Sequence, residues 1–138
     1  MNKEQIQKGD FLFGIYGKSR VIDINGNSIY LEDHTVVNVN SVHPVVITED
    51  ILKESGYTQS EKRETEWYKE YEKEDTDQVF KISITLNDEY DDVRILKIQT
   101  RYAQEKKYEH GIVTNVKHLH NLQHILSSFD LKETFDYE

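Results

Sequence analysis

Apolar and polar positions alternate most regularly near the middle of the chain, where Lys81, Ser83 and Thr85 separate Phe80, Ile82, Ile84 and Leu86. Successive side chains of a β-strand point to opposite faces, so this pattern predicts a strand that is buried on one face only. Residues 93–102 are expected to return as its antiparallel partner, with Val93, Ile95 and Ile98 facing inward. Residues 106–110 are expected to add a third, edge strand.

Five short apolar runs separated by turn residues precede this region. They cover residues 11–15, 20–24, 28–31, 35–39 and 42–44, and in the first of them Phe11, Phe13 and Ile15 occupy alternate positions. Asn25-Gly26-Asn27 predicts a tight hairpin, because Asn and Gly adopt a positive φ at low cost. Five brief strands in so short a segment are typical of a small SH3-like β-barrel, an architecture that hosts many functions.

Two helices are also predicted. Thr48 is a suitable N-cap, Glu49 and Asp50 place negative charge at the positive end of the helix dipole, and Gly56 suits a left-handed exit. The second helix lies near the C-terminus and begins at an N-cap provided by Thr114 or Asn115. Its apolar stripe comprises Val116, Leu119, Leu122, Leu126 and Phe129.

The segment 58–77 is rich in Ser, Thr, Glu, Lys and Asp. Trp67 and Tyr71 are four residues apart, which favours a helix over residues 64–73, but the same residues also fit period two. The segment is either a solvated connector whose aromatic residues cover the edge of the core, or an aromatic platform for a ring or a partner protein.

The predicted fold is α+β: an SH3-like barrel plus helix over 1–57, a charged connector over 58–77, and an antiparallel sheet with a C-terminal helix over 78–138, packed as one unit.

Composition excludes several classes of function. The 138 residues carry a net charge of −9, which disfavours long nucleic acids because phosphate binding needs clusters of Lys and Arg. Cysteine is absent, which removes disulfides, thiolate metal sites and cysteine nucleophiles. No apolar run is long enough to span a bilayer, and no signal-peptide core follows Met1. We therefore expect a cytoplasmic protein without membrane partners.

Two blocks of sequence resemble an uncharacterised family of small proteins from bacteriophages, prophages and Bacteroidetes-type genomes. Residues 42–57 are similar to its "PIPLTEEILLKLGF" pattern, and residues 116–126 are similar to its "IKYVHQLQNLY" pattern. Residues 6–10 also match its usual start. His124 stands where the pattern has Asn, and Leu126 where it has Tyr. The resemblance implies a phage or mobile-element origin, a bacterial host cell and a strand-rich architecture, and it assigns no catalytic residue.

Residues 94–107 concentrate positive charge in an otherwise acidic chain. The candidate ligand-binding residues are Arg94, Lys97, Arg101, Tyr102, Lys106 and Tyr108, with Lys107 beside them. Cations for phosphate and rings for stacking are what a nucleotide pocket needs. The alternative is that Lys and Arg protect an exposed strand edge from pairing with another sheet.

Histidines offer a weaker candidate. His120 and His124 lie four residues apart, as helical metal ligands do, but no HExxH pattern is present and His118 is expected to point away from His120. The competing interpretation is that His120 and Gln123 satisfy backbone groups where the helix packs on a sheet.

We predict no metal and no cofactor. Catalytic signatures such as GxSxG are also missing, so no enzyme is predicted.

Two hypotheses of function follow. The first is a non-enzymatic phage or mobile-element protein that captures a small anionic, nucleotide-type ligand, such as a host-defence signal, within a homo-oligomer. The second is an interaction module that inhibits or recruits a host protein, using the barrel and the segment around Trp67 and Tyr71. His120 and Gln123 are second-choice contact residues.

Overall fold

The computed structural model describes residues 5–73, 77–86, 94–109, 111–129 and 131. Within them the fold is mixed α and β, with two antiparallel sheets and two helices. The first sheet contains β1 (Phe11–Gly14), β2 (Gly17–Asn25), β3 (Ser28–Leu31), β4 (Val36–Asn38) and β5 (His43–Pro44). The second contains β6 (Thr58–Gln59), β7 (Glu66–Glu72), β8 (Gln78–Leu86), β9 (Arg94–Tyr102) and β10 (Val113–Asn115). The helices are α1 (Glu49–Glu54) and α2 (Leu119–Ser128).

The chain divides into two compact units whose bounds differ from the predicted domains. The first unit comprises Met1–Val46 with His118–His124, and the second comprises Ile47–Lys117 with Ile125–Glu138. Helix α1 therefore belongs with the second sheet instead of the first, and α2 contributes residues to both units. The predicted connector is also wrong, because β6 and β7 are strands of the second sheet.

The first sheet has the strand order β4-β3-β2-β1-β5, and every neighbouring pair is antiparallel. The predicted hairpin is confirmed: Asn25 lies opposite Ser28, and Gly26 adopts a φ of 60°. Strands β4 and β5 are the two edges of this sheet and do not pair with each other. No closed barrel is therefore found in the described part of the chain.

An apolar cluster fills the inner side of the first sheet. Its buried members are Ile6, Leu12, Val21, Ile29, Leu31, Val37, Val39 and Val42. The predicted phase of β1 is wrong beyond Phe11, because Leu12 is fully buried whereas Phe13 and Ile15 are exposed. The pattern misled because β1 ends at Gly14, so Ile15 lies in the turn before β2.

Gln123 joins α2 to the start of β1 within the first unit. Its side-chain oxygen accepts a hydrogen bond from the Phe11 amide at 3.0 Å, and its side-chain nitrogen donates to the Gly9 carbonyl at 2.9 Å. The Gln123 side chain and Phe11 are buried and Gly9 is partly buried, so Gln123 replaces water as the partner of the Phe11 amide. This part of the histidine and glutamine prediction is confirmed.

The second sheet has the order β10-β9-β8-β7-β6, with β8 at its centre. The predicted period of β8 is confirmed, because Phe80, Ile82, Ile84 and Leu86 are all buried. In β9 the expectation is confirmed for Ile98, which is buried, and wrong for Ile95, which is exposed; Leu96 is the other inward-facing residue. Val93 lies outside the described residues.

Residues 64–73 are the clearest failure of a local prediction. They contain strand β7, which pairs with β8 from Glu66 opposite Thr85 to Glu72 opposite Val79. Long-range pairing therefore overrides the helical interpretation of the Trp67–Tyr71 spacing.

The edge strand and the start of the last helix also differ from expectation. The edge strand is β10, and within the predicted 106–110 only an isolated bridge from Glu109 to Thr100 is seen, while His110 lies outside the described residues. Thr114 and Asn115 belong to β10, so neither caps α2, which begins at Leu119.

Helix α1 forms as its sequence predicts. The Thr48 hydroxyl oxygen accepts a hydrogen bond from the Ile51 amide at 3.3 Å, and Gly56 adopts a φ of 86°. Lys69 adds a contact at the other end, because its ammonium donates to the Ser55 carbonyl at 2.9 Å. A cation suits this position because the C-terminal end of a helix carries partial negative charge.

Among the described residues, neither helix combines the length and the apolar character needed to cross a membrane.

Replacing Gln123 with Met should destabilise the first unit. The change keeps the length of the side chain but leaves the buried Phe11 amide without its partner and removes a hydrogen bond from the partly buried Gly9 carbonyl, at a cost of about 1–3 kcal/mol in the free energy of unfolding. Urea denaturation measures the change. The control is Asn121→Ala, at an exposed position of the same helix, which should lower the free energy of unfolding by less than about 0.5 kcal/mol because Ala is the better helix former. Equal stability of Gln123→Met and wild type would show that these hydrogen bonds contribute nothing.

Candidate functional site

The alternation of strands β7, β8 and β9 separates apolar from charged side chains on the second sheet. Ile82 and Ile84 face the buried side, where they pair with Ile98 and Leu96 in the register. The side chains of the intervening positions point to the opposite side. We call this side the charged face and define it by Tyr68, Glu70, Lys81, Ser83, Lys97 and Arg101.

A cleft of about 460 Å³ lies at one end of the charged face. We call it the lysine cleft; its lining residues are Ser60, Glu61, Lys62, Arg63, Glu66, Tyr68, Lys81 and Lys97. Lys81 and Lys97 come from adjacent strands, whereas Lys62 and Arg63 come from the loop between β6 and β7. Cations therefore reach the cleft from the sheet and from the loop.

The cations of the lysine cleft differ from the nearby Arg101 in ion pairing. None of Lys62, Arg63, Lys81 and Lys97 makes an ion pair with a carboxylate of the described residues. Arg101, on the same face, is different because its guanidinium lies 3.6 Å from the Glu70 carboxylate. In a chain of net charge −9, these cations concentrate positive potential at one cleft.

Two phenol rings hold the Lys81 ammonium. It lies 4.9 Å from the centre of the Tyr68 ring and 5.5 Å from that of Tyr108. Such cation–π contacts restrain the lysine without using its N–H donors on a carboxylate. Lys81 is therefore positioned before any ligand binds.

Tyr108 lies beside the cleft and is itself packed against Arg101. The Arg101 guanidinium carbon lies 5.3 Å from the ring centre, and the guanidinium donates to the Ala103 and Glu105 carbonyls at 3.2 and 2.9 Å. Burial raises the pKa of the Tyr108 hydroxyl. Arg101 thus fixes the turn that carries Tyr108.

The structure brings together only part of the predicted cationic site. Lys97 lines the cleft, while Tyr108 and Arg101 lie next to it on the charged face. Arg94 is two strand positions before Leu96 and so faces the buried side, where its Nε donates to the Ile47 carbonyl at 3.0 Å. Arg94 therefore has a structural contact and does not reach the cleft.

The remaining predicted residues of this group lie elsewhere. Tyr102 and Lys106 are exposed at and beyond the end of β9 and do not line the lysine cleft. Lys107 lines a second cleft of about 630 Å³, together with Tyr108 and two glutamates, Glu105 and Glu109. The acidic residues outnumber the cations there, so that cleft is a poor anion site.

The competing edge-protection interpretation is wrong for β9. This strand pairs with β8 on one side and with β10 on the other, so it is internal to the sheet. Its Lys and Arg side chains therefore do not guard an open edge.

Trp67 and Tyr71 are buried and lie on the side of β7 opposite to Tyr68. The Tyr71 hydroxyl lies 3.4 Å from that of Tyr57, and the Lys69 ammonium lies over both phenol rings. These side chains are part of the interior, as the interpretation of core-covering aromatic residues predicts. The pair does not form an exposed docking platform.

Sequence reasoning missed Lys62, Arg63, Lys81 and Tyr68. Lys81 had a usable signal, since it lies in the clearest period-two segment and must face away from the core. Tyr68 was missed because β7 was interpreted as a helix. In a strand, Tyr68 and its neighbour Trp67 point to opposite faces, which the helical interpretation did not show. The loop cations had no signal in the sequence, because only the folded sheet brings them near Lys97.

A second group of polar residues lies in the first unit around three histidines. The His118 and His120 rings stack with centroids 5.8 Å apart, and His124 meets His120 edge-on at 5.7 Å. The expectation that His118 points away from His120 is therefore wrong. The His124 Nε2 atom lies 2.8 and 2.9 Å from the two oxygens of the buried Asp10 carboxylate.

Among the described residues, His120 satisfies no backbone group, in contrast to Gln123. Its side chain is 3% exposed, and its Nδ1 atom meets no hydrogen-bonding partner in the residues that the structure describes. Burial, helped by the nearby His124 and His118, lowers the pKa of His120 to about 4. Burial raises the pKa of Asp10.

The histidines do not assemble a metal centre in the described residues. No three His, Asp or Glu side chains there are placed so that they could share one ion. The arrangement instead couples the stability of the first unit to pH.

Comparison of the chain with protein-family models, curated proteins and solved structures finds no match.

His120 should make the protein less stable as the pH falls. Its folded pKa of about 4 lies below the unfolded value of 6.5, so the unfolded state takes up the proton first. The contribution of neutral His120 to the free energy of unfolding should be intact above pH 6.5. It should fall by about 3 kcal/mol as the pH decreases to 4. The raised pKa of Asp10 acts in the opposite direction, because the folded state then binds its proton first.

The measurement is the free energy of unfolding of wild type and His120→Leu between pH 7 and pH 4. The wild type should lose stability relative to the variant as the pH falls. Asn121→Leu, which changes an exposed and non-titrating side chain of α2, is the control and should follow the wild-type profile. Parallel profiles for wild type and His120→Leu would contradict the assignment.

Proposed function

We propose that this protein is a non-enzymatic binding protein that captures a small anionic, ring-containing ligand of nucleotide type in the lysine cleft. The observation that carries the proposal is the convergence of Lys62, Arg63, Lys81 and Lys97 on one cleft without a carboxylate partner in the described residues. Ammonium and guanidinium groups form charge-assisted hydrogen bonds with phosphate oxygens. A net acidic chain gains most from such a site when the anion is small, because a long polyanion would meet the acidic surface.

Tyr68 and Tyr108 support a ligand that carries a ring. Tyr68 lines the cleft, and both phenol rings hold Lys81 in place. An aromatic side chain beside cations is the usual combination for binding a base together with its phosphate. Glu61 and Glu66 also line the cleft and can accept hydrogen bonds from hydroxyl or amino groups of the ligand.

Other parts of the proposal rest on sequence likeness. The similarity of residues 42–57 and 116–126 to the phage-type family supports a phage or mobile-element origin and capture of a host-defence signal in the bacterial cytoplasm. We also propose that the protein binds this ligand as a homo-oligomer. The SH3-like interpretation of the first five strands is also proposed, and it is supported by their short antiparallel hairpins around one apolar cluster.

Binding should raise the melting temperature and leave the ligand unchanged. A ligand at one hundred times its Kd stabilises the folded state by about 2.7 kcal/mol. The test is a thermal-shift screen with linear and cyclic nucleotides, followed by chromatographic recovery of any nucleotide that gives a shift. Recovery of a converted product would contradict the non-enzymatic part of the proposal, and the lack of a shift with every nucleotide would contradict the ligand class.

Substituting either sheet lysine should reduce the shift without loss of folding. Each of Lys81→Met and Lys97→Met removes a charge-assisted contact, so each should weaken binding about tenfold to a hundredfold. The matched control is Lys106→Met, which removes the same charge from an exposed turn outside the cleft. Equal weakening by all three variants would show that binding depends on overall charge and not on the cleft.

A second candidate function, docking onto another protein, is favoured by the turn between β1 and β2. Ile15 is 68% exposed and Tyr16 is 80% exposed there, and Phe13 beside them is also exposed. Single exposed apolar side chains are normal on a protein surface, whereas three at one hairpin form a patch of the kind that marks interaction sites. If docking is the function, Ile15→Ser with Tyr16→Ser should remove a partner that wild type retains from a host lysate, whereas Lys81→Met should retain it.

A further inference from the structure

The charge balance of the lysine cleft limits the kind of anion that it fits. Four cations and two carboxylates line it, which leaves two positive charges in excess. We propose that the cleft selects an aromatic phosphomonoester in its dianionic form over a phosphodiester or a polyphosphate. This inference rests on the proposed function and names the ligand class of the same site.

A terminal phosphate matches the excess charge. A phosphomonoester carries between about −1.5 and −2 charges at pH 7, because its second pKa is about 6. A phosphodiester carries a single charge and would leave one cation of the excess unpaired. A diphosphate or triphosphate would bring additional charge close to Glu61 and Glu66, which also line the cleft.

The placement of the donors also favours a terminal phosphate. Lys81 and Lys97 lie on adjacent strands, and Lys62 and Arg63 belong to the loop between β6 and β7. A phosphomonoester has three terminal oxygens that accept from several directions, whereas a diester has two. The planar fork of Arg63 can bind two of these oxygens at once, while the lysines act as point charges.

The ring of the ligand has one clear neighbour in the cleft. Tyr68 is half-buried, lines the cleft and lies next to the Lys81 ammonium. A phosphate held by Lys81 and an aromatic ring held against Tyr68 would therefore be close together in the ligand. A cleft of about 460 Å³ is within the size range of small-molecule sites, which supports a monomeric ligand.

Calorimetric titration with matched esters tests the inference. The probes are the four common nucleoside 5′-monophosphates with their 3′,5′-cyclic counterparts, and phenyl phosphate with methyl phenyl phosphate. Within at least one pair, we expect the monoester to bind ten times or more tightly than the diester. Lys81→Met should reduce this ratio, while Lys106→Met should leave it unchanged.

The outcomes separate this inference from the proposed function. Diesters that bind as tightly as monoesters, with both weakened by Lys81→Met, would overturn the inference and leave anion capture standing. Failure of all these probes and of inorganic phosphate to bind would overturn both.

A carboxylate variant gives an independent readout. Glu66→Gln raises the excess charge of the cleft by one, so it should improve the binding of adenosine diphosphate at least threefold relative to adenosine monophosphate. Glu72→Gln is the matched control, since Glu72 shares the strand and the face of Glu66 but does not line the cleft. An unchanged ratio for Glu66→Gln, or the same change for Glu72→Gln, would contradict selection by charge.

Discussion

The antiparallel register of β8 with its two neighbours is the constraint on which the second unit depends. Ile82 lies opposite Ile98, and both are buried. Because side chains alternate between faces, a slip of β8 by one residue would bury Lys81 and expose Ile82. Burying each such apolar side chain contributes about 1.5–3 kcal/mol, so the core selects the observed register. The same selection places the cations together on the opposite face.

Local sequence signals predicted the elements whose structure is decided locally. The Asn25-Gly26-Asn27 hairpin and the caps of α1 formed as expected, because a positive φ or a hydroxyl oxygen at one position determines them. The period of β8 was equally clear. These features depend on few neighbours in the chain, and distant contacts reinforce them.

Predictions failed where distant contacts decide. The four-residue spacing of Trp67 and Tyr71 places both side chains on one face of a helix and also on one face of a strand, so their burial does not distinguish the two. Pairing with β8 made the segment a strand. Ile95 shows the same limit, because its phase in β9 is set by the register with β8 and not by the apolar residues around it.

The candidate site was predictable only in part for the same reason. Lys97 and Tyr108 were recognised from local composition, but Arg94 lies three positions before Lys97 and therefore on the opposite face. Lys62 and Arg63 reach the cleft only through the loop that precedes β7. The charge pattern of the chain indicated an anion site, and the strand order determined which cations belong to it.

The most direct test of the account is to locate where a simple anion binds. Inorganic phosphate titrated into isotopically labelled protein, followed by backbone amide chemical shifts, reports the position without assuming a ring or an ester. We expect saturable shifts centred on residues 60–63, 66–68, 81 and 97, with small changes at Arg94 and Lys106. Shifts spread evenly over the exposed cations, or centred on a different set of residues, would contradict it.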